Sequence, residues 1–269
     1  MGERVALILT EPGDQSSDLV GLHLQGRGCR VLRVTVATLA RALIRHCPDA
    51  HDGTSIELPG VGVLTDAAIG VVLNRLSTVD LPQFAHAPAA DRDYAGAEFT
   101  ALLTSWLQAL NARGTLVANL AIGDHPYDAA VHPLGWHALA AGLGIGVGDF
   151  TVASSVRGGD CAGLARVGAT GYPRGSDLGG WYRTPAAADT DLAWAYVFGD
   201  DSDGLGDQAL GGRSLALVRA LGLGYAALGF APTAAGLQLR EVAPRPPLTA
   251  PALAGRCADW LFAALVGAA

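Results

Sequence analysis

The first forty residues constrain the fold more than any other stretch. "VALILT" (5–10) is a continuous apolar run, the pattern of a strand buried on both faces of a parallel sheet. A Pro-Gly turn follows, then Ser and Asp residues suited to capping, then Leu19, Val20, Leu22 and Leu24 before a Gly-rich stop. "RVLRVTVATL" (30–39) predicts the next strand, so the segment reads as a right-handed βαβ unit.

The same alternation continues. "GVLTDAAIGVVLNRL" (62–76) predicts a strand that ends near Asn74 and Arg75. "DYAGAEFTALLTSWLQALNARG" (93–114) predicts a long helix, with Phe99, Leu102, Leu103, Trp106, Leu107 and Leu110 on one side and Gly114 as its stop. "TLVAN" (115–119) supplies one more strand. This half is an open α/β sheet, and its functional loops belong at the carboxyl ends of the strands.

After Asn119 the texture changes, so we divide the chain into residues 1–119, an α/β domain, and 120–269, a C-terminal region. The second part predicts a helix over "GWHALAAGLG" and a strand at 149–153. A Gly-, Asp-, Pro- and Arg-rich stretch from 154 to 213 follows, with short apolar patches such as "AWAYVF" (193–198). A helix at 213–225, the strands "YAALGF" and "LQLREV", and a last helix at 252–266 complete it.

Composition narrows the function classes. Half of the 269 residues are hydrophobic and 16% are charged, which fits a compact globular protein and not a disordered one. A net charge of −7 argues against nucleic acid as the main partner. The apolar runs stop well short of the roughly 20 residues a membrane span needs. Met1 also leads straight into a strand pattern, so we expect a cytoplasmic protein with no signal peptide and no membrane association. Cys29, Cys47, Cys161 and Cys257 form no C-x-x-C pair and read as ordinary thiols. All 18 basic residues other than histidine are arginine, which removes every mechanism that needs an ammonium group.

Several local patterns invite chemistry. Asp124, His125, Asp128, His132 and His137 crowd together in "GDHPYDAAVHPLGWH". Asp128 and His132 are spaced as metal ligands on a helix can be, but Pro126 and Pro133 interrupt a helix, and a polar linker is the plainer reading. In "GDDSDGLGD", Asp201 and Asp203 precede Gly204 as in a calcium loop, but Leu210 stands where a bidentate carboxylate is needed, so a solvated acidic turn is expected. "GLGIGVG" (142–148) follows a helix rather than a strand, which makes it a helix stop and a turn, not a nucleotide loop. Ser16, Ser17, Ser154 and Ser155 lack a G-x-S-x-G setting, so a serine hydrolase is not supported.

Taken in order, four stretches resemble the ATP-grasp ligases that modify ribosomal peptides. "VALILTEPGDQSSDLVGLHLQGRGCRVLRVTVATL" is similar to their opening, and "VVLNRL", "DYAGAEFTALLTSWLQAL" and "VAN" to the Arg-bearing strand end, Glu-containing helix and Asn-bearing strand that follow. "ALVRALGLGYAALGFAPTAAGLQLREVAP" resembles their C-terminal signature. The resemblance covers about 1–150 and 210–266. It implies an α/β fold with an N-terminal open, mostly parallel sheet, a C-terminal α+β half and a reduced central subdomain. Such ligases activate a carboxylate as an acyl phosphate, using lysines on the central subdomain and acidic and Asn ligands for magnesium on the C-terminal strands.

Here the resemblance maps those ligand positions to Gly229, Glu241 and Ala243, leaving Glu241 as the one metal candidate, and the lysines are gone. Two readings follow. In the first, the chain is a non-catalytic ATP-grasp-like protein with no cofactor that binds a peptide or a partner enzyme, with Arg75, Arg183, Arg240 and Arg245 as candidate cleft residues. In the second, it is a divergent ATP- and magnesium-dependent ligase in which Arg157, Arg166, Arg174 and Arg183 replace the lysines.

Overall fold

The computed structural model describes residues 4–48, 53–79, 81–120, 133–148, 150–153, 165–167, 180–183 and 192–267. They fall into two compact units, Met1–Gly123 with Pro247–Ala269, and Asp124–Pro246.

The first unit is built on the parallel sheet that the apolar runs predict. β1 (Val5–Thr10), α1 (Gln15–Gly26) and β2 (Arg30–Thr35) form the opening unit, with β1 and β2 paired in parallel from Val5↔Arg30 to Thr10↔Thr35. The second predicted strand stops early, because Thr35 caps a single helical turn, α2 (Val36–Leu39), by accepting a hydrogen bond from the Thr38 amide. The stretch 62–76 is likewise not one strand. β5 (Gly62–Thr65) closes a small antiparallel sheet with β3 (Leu43–Arg45) and β4 (Ser55–Leu58), and a turn at Asp66–Ala68 then leads into β6 (Ile69–Asn74). α3 (Ala89–Ala112) starts four residues before the predicted helix, and β7 (Leu116–Ala118) follows it.

The parallel sheet has the order β2-β1-β6-β7. Both β1 and β6 are buried along their whole length, as strands covered on two faces must be. Leu7, Leu9 and Val72 meet Leu103, Trp106 and Leu107 of α3 and Ile56, Leu58 and Leu64 of the small sheet in one core. The other face is covered by α1 and by the closing helix α6 (Pro251–Gly267). A Cβ at Gly70 would lie 2.1 Å from Leu265 Cδ1, so glycine is what lets α6 approach β6 this closely. Burial of Cys257 on α6 pushes its thiol up to about 12, which leaves it uncharged and inert.

In the second unit, α4 (Pro133–Gly142) ends where the Gly-rich stretch begins, and Gly144 takes φ +69°, as a helix stop requires. β8 (Phe150–Ala153), β9 (Ala165–Val167) and β10 (Gly180–Arg183) form an antiparallel sheet in the order β8-β10-β9. β11 (Ala193–Phe198), β12 (Asp201–Ser202), β13 (Tyr225–Thr233) and β14 (Gly236–Ala243) form another, ordered β12-β11-β13-β14. α5 spans Gln208–Ala220 rather than 213–225, because Asp207 caps it by accepting from the Ala209 and Leu210 amides. Leu217 and Val218 of α5 pack with Ala195, Val197, Leu228, Phe230 and Leu239 on one face of the β11–β14 sheet. Among the described residues, no helix is long and apolar enough to cross a membrane.

Candidate functional site

Two places concentrate polar or unusual side chains, one in each unit. In the first unit, the chain leaves β1 toward β2 on one side while β6 lies on the other, so the loops after β1 and β6 flank the topological switch point. Asp14 caps α1, accepting from the Ser16 amide (3.1 Å). Thr10 Oγ1 donates to Ser17 Oγ (2.8 Å), and Ser17 donates onward to Asp14. Arg75, placed by the end of β6, donates Nε to Asp14 Oδ2 at 2.7 Å.

A second carboxylate works in the opposite direction. Glu11, on the β1 side, accepts from the Ser77 and Thr78 amides (2.9 and 3.1 Å) and from the Ser77 hydroxyl. The two loops are therefore tied twice, by Arg75 reaching one way and Glu11 the other. Asn74 Nδ2 donates to the carbonyl of Asn119 (2.8 Å), which sits buried at φ +60° just beyond β7. Asparagine tolerates that left-handed conformation better than most residues, and its placement at the carboxyl end of a strand suits the switch-point geometry. Ser16 is structural as well, since its hydroxyl accepts from the Leu248 amide at 2.9 Å.

Burial by itself would raise the Asp14 carboxyl. The hydrogen bonds from Arg75 and Ser17 and the Arg75 charge together outweigh it and hold the group below its ordinary 3.8. Glu11 is also held low: burial acts upward, but the hydrogen bonds from Ser77 and Thr78 win. A depressed folded-state pKa contributes stability that is present above the unfolded value and is lost as pH falls through the folded one. Asp14→Asn should therefore cost about 1–3 kcal/mol at pH 7. In urea denaturation, the gap between Asp14→Asn and wild type should narrow once the pH drops below about 4. A gap that stayed constant down to pH 2.5 would contradict this assignment.

In the second unit, the feature is the face of the β11–β14 sheet opposite its core. Trp194 on β11 pairs with Gly229 on β13, and Gly229 pairs with Glu241 on β14, so all three lie in one row on the same face. The adjacent row is Tyr196, Ala227 and Ala243. A Cβ at Gly229 would stand 3.0 Å from Trp194 Cη2, 3.1 Å from Cζ3 and 3.1 Å from Leu192 Cδ1. The indole thus covers Gly229, using the space that a side chain there would take. Glu241 is exposed and sits next to a bulge between Gly229 and Phe230. Burial, and then the Asp203 charge, raise the Tyr196 hydroxyl above its ordinary 10.0.

The remaining sequence candidates are distributed as follows. Arg240, beside the bulge, donates to Gln238 Oε1 (2.8 Å), and its guanidinium lies against Gly148. Arg245 is half-buried two residues beyond β14. Arg166 and Arg183 lie on the adjacent strands β9 and β10, while Arg157 and Arg174 lie outside the described residues. Of the histidine-rich segment, His125 and His132, with Asp124 and Asp128, also lie outside them; His137 donates Nε2–H to the Gly148 carbonyl (2.7 Å). Asp201 and Asp203 are exposed, and Asp203 accepts from the Tyr196 amide at 3.1 Å. Among the described residues, no three His, Cys, Asp or Glu side chains converge as a metal site would need. The role of Trp194 was not visible in the sequence, because 35 residues separate it from Gly229 and only the strand register brings them together.

The fold of the chain matches that of solved ATP-grasp ligases. The particular likenesses are to enzymes of peptide modification. Macrocyclase MdnC of Microcystis aeruginosa, bound with its precursor peptide MdnA, superposes with a TM-score of 0.75 at 13% identity, covering 96% of this chain and 99% of that one. The ATP-grasp ligase PsnB, complexed with a minimal precursor variant, Mg and ADP, gives 0.76 at 14% identity over 98% and 99%. A Chryseobacterium gregarium ATP-grasp ligase in complex with ADP and leader and core peptides gives 0.71 at 13% over 96% and 96%. No protein-family model and no curated protein sequence matches the chain.

Proposed function

We infer that this is an ATP-grasp-like protein of a peptide-modification pathway that binds a peptide or a partner enzyme and does not itself carry out ATP-dependent ligation. The observation that carries the reading is the row Trp194–Gly229–Glu241. Magnesium needs near-octahedral oxygen coordination, with two or three protein or phosphate donors to hold it. Of the three positions where such a fold carries its ligands, Glu241 alone offers a side-chain oxygen; Gly229 and Ala243 offer none, and an indole lies over Gly229. At these three positions the side chains do not fit a bound magnesium ion. The likeness to ligases solved with precursor peptides supports a peptide as the partner.

The second reading, a divergent ligase, draws support from the retained Glu241 and from the presence of Arg166 and Arg183 in the chain, since a guanidinium can neutralise phosphate. One titration separates the two. We expect no saturable heat when ATP with Mg²⁺ is titrated into the protein up to roughly millimolar concentration, a Kd beyond which binding is weaker than about −4 kcal/mol. Micromolar binding that disappears in Glu241→Ala would establish the ligase reading instead.

A further inference from the structure

We propose that the outer edge of β5 is a docking strip for an extended peptide segment, which joins the β3–β5 sheet as a fourth strand and sets a basic side chain beside Val63. This rests on the peptide-binding reading and names where one stretch of the peptide sits. A sheet edge presents a row of backbone N–H and C=O groups, and natural edges are guarded by charge or by cover. Most strand edges with described side chains follow that rule. β2 presents Arg30 and Arg33, β3 presents Arg45, and β12 presents Asp201. On β14, the Leu239 amide donates to the Gly146 carbonyl and Val147 bridges alongside, while β7 is buried or half-buried. β5 carries neither charge nor proline, and among the described residues no strand pairs with its outer side. Val63 is 66% exposed, Val61 just before the strand is 53% exposed, and a Cβ on Gly62 would meet nothing within 4 Å.

The row that ends at Val63 decides the occupant. Leu43, Glu57 and Val63 pair across β3, β4 and β5 and share the exposed face of this sheet, while Ile56, Leu58 and Leu64 turn into the core. Glu57 is exposed and, among the described residues, takes part in no hydrogen bond or ion pair. Arg45, its diagonal neighbour on β3, forms no ion pair with it. An added strand lies ~9.6 Å from β4, two strand spacings away. A lysine or arginine beside Val63 spans that distance by laying its methylenes over the valine and bringing its charged head to the carboxylate. Two residues along, a β-branched side chain packs near Val61. A second copy paired edge to edge about Val63 would bring another valine and another Glu57 in place of a cation. The edge is also only four residues long, about 14 Å, a footprint far below the roughly 1,200 Å² that a stable protein interface buries. Charge and size therefore select a basic peptide strand over a copy of this chain.

The test uses the full chain and two blocked pentapeptides, acetyl-Thr-Val-Thr-Lys-Thr-amide and the same peptide with glutamate in place of lysine. Nuclear magnetic resonance follows the backbone amide signals of the labelled protein. The lysine peptide should shift the signals of Gly62–Thr65 saturably, and at ten times its Kd it should slow hydrogen exchange of the outward-facing β5 amides by about ten-fold. The glutamate peptide should bind roughly two- to five-fold more weakly, and Glu57→Lys should reverse that preference. Glu57 is exposed, so this variant does not disturb the core. Equal binding of the two peptides, a preference unchanged in Glu57→Lys, or β5 exchange unaltered by the bound peptide would each overturn the proposal. So would β5 signals that move with protein concentration alone, which would place a second copy on the edge. Peptide-induced shifts confined to other residues would overturn the β5 site and leave the peptide-binding reading standing. Shifts nowhere in the chain would overturn the site and count against that reading as well, and the ATP titration is independent of all these outcomes.

Discussion

Asp66→Ala should lower the stability of the protein by about 2–4 kcal/mol, a large part of the margin a domain of this size holds. Asp66 is 8% exposed and serves three donors at once. Its Oδ2 accepts from the Thr54 amide (2.8 Å) and from Arg113, and its Oδ1 accepts from Trp106 Nε1 at 2.9 Å. Trp106 is among the largest fully buried side chains, and alanine at 66 would leave its indole N–H without an acceptor in the core. The same change releases Thr54, whose hydroxyl meets His46 Nδ1 at 2.9 Å, while His46 Nε2 meets Ser105 Oγ at 2.8 Å. Through these contacts Asp66 binds the small β3–β5 sheet to α3. Urea denaturation of the full chain checks the prediction. Asp66→Asn, which keeps an acceptor oxygen, should cost less than alanine, and a loss under 1 kcal/mol for alanine would show that water replaces the carboxylate.

The second large effect concerns the row that supports the functional reading. Gly229→Asp should destabilise by about 1–3 kcal/mol, because its Cβ would press on the Trp194 ring and on Leu192. Shortening the indole opens that space, so Trp194→Ala combined with Gly229→Asp should cost less than the sum of the two, with a coupling of about 0.5–3 kcal/mol. A functional prediction follows. Gly229→Asp with Ala243→Asn adds two oxygen donors opposite and beside Glu241, yet we expect measurable magnesium binding only when Trp194→Ala is added. Calorimetry with Mg²⁺ on the double and triple variants decides it. Magnesium binding by the double variant would mean that the indole turns aside at little cost, and the geometric case against a metal at this place would weaken.

How much of this could be read from residues in order depends on the range of the interaction. The βαβ opening is written locally: the apolar runs at 5–10 and 69–74 are long enough to bury on both faces, and Asp14 and the Gly-rich stop bracket α1. "AWAYVF", which reads in sequence only as a short apolar patch, forms β11. The errors also have local causes. Thr35 is a capping residue inside a segment that reads as strand, and Asp207 is one inside a segment that reads as an acidic turn, so the strand ends earlier and the helix begins earlier than the sequence predicts. The turn at Asp66 was hidden because its flanks, "GVLT" and "IGVVLN", are both strand-like, although the first pairs antiparallel in one sheet and the second parallel in another.

The candidate site divides in the same way. Sequence order places Gly, Glu and Ala at 229, 241 and 243, and no arrangement of strands can give glycine or alanine a side-chain oxygen. The absence of lysine is equally independent of folding. What the chain order does not state is which distant segment comes to lie beside each of these residues. Arg75 meets Asp14 across 61 residues, Asp66 meets Trp106 across 40, and Trp194 comes to lie over Gly229 because β11 pairs with β13 in that register and no other. A one-residue slip would turn the indole to the opposite face of the sheet. The lack of side-chain oxygens at 229 and 243 is therefore fixed by the residue types at those two positions, whereas the ring that lies over Gly229 was decided by strand order and register.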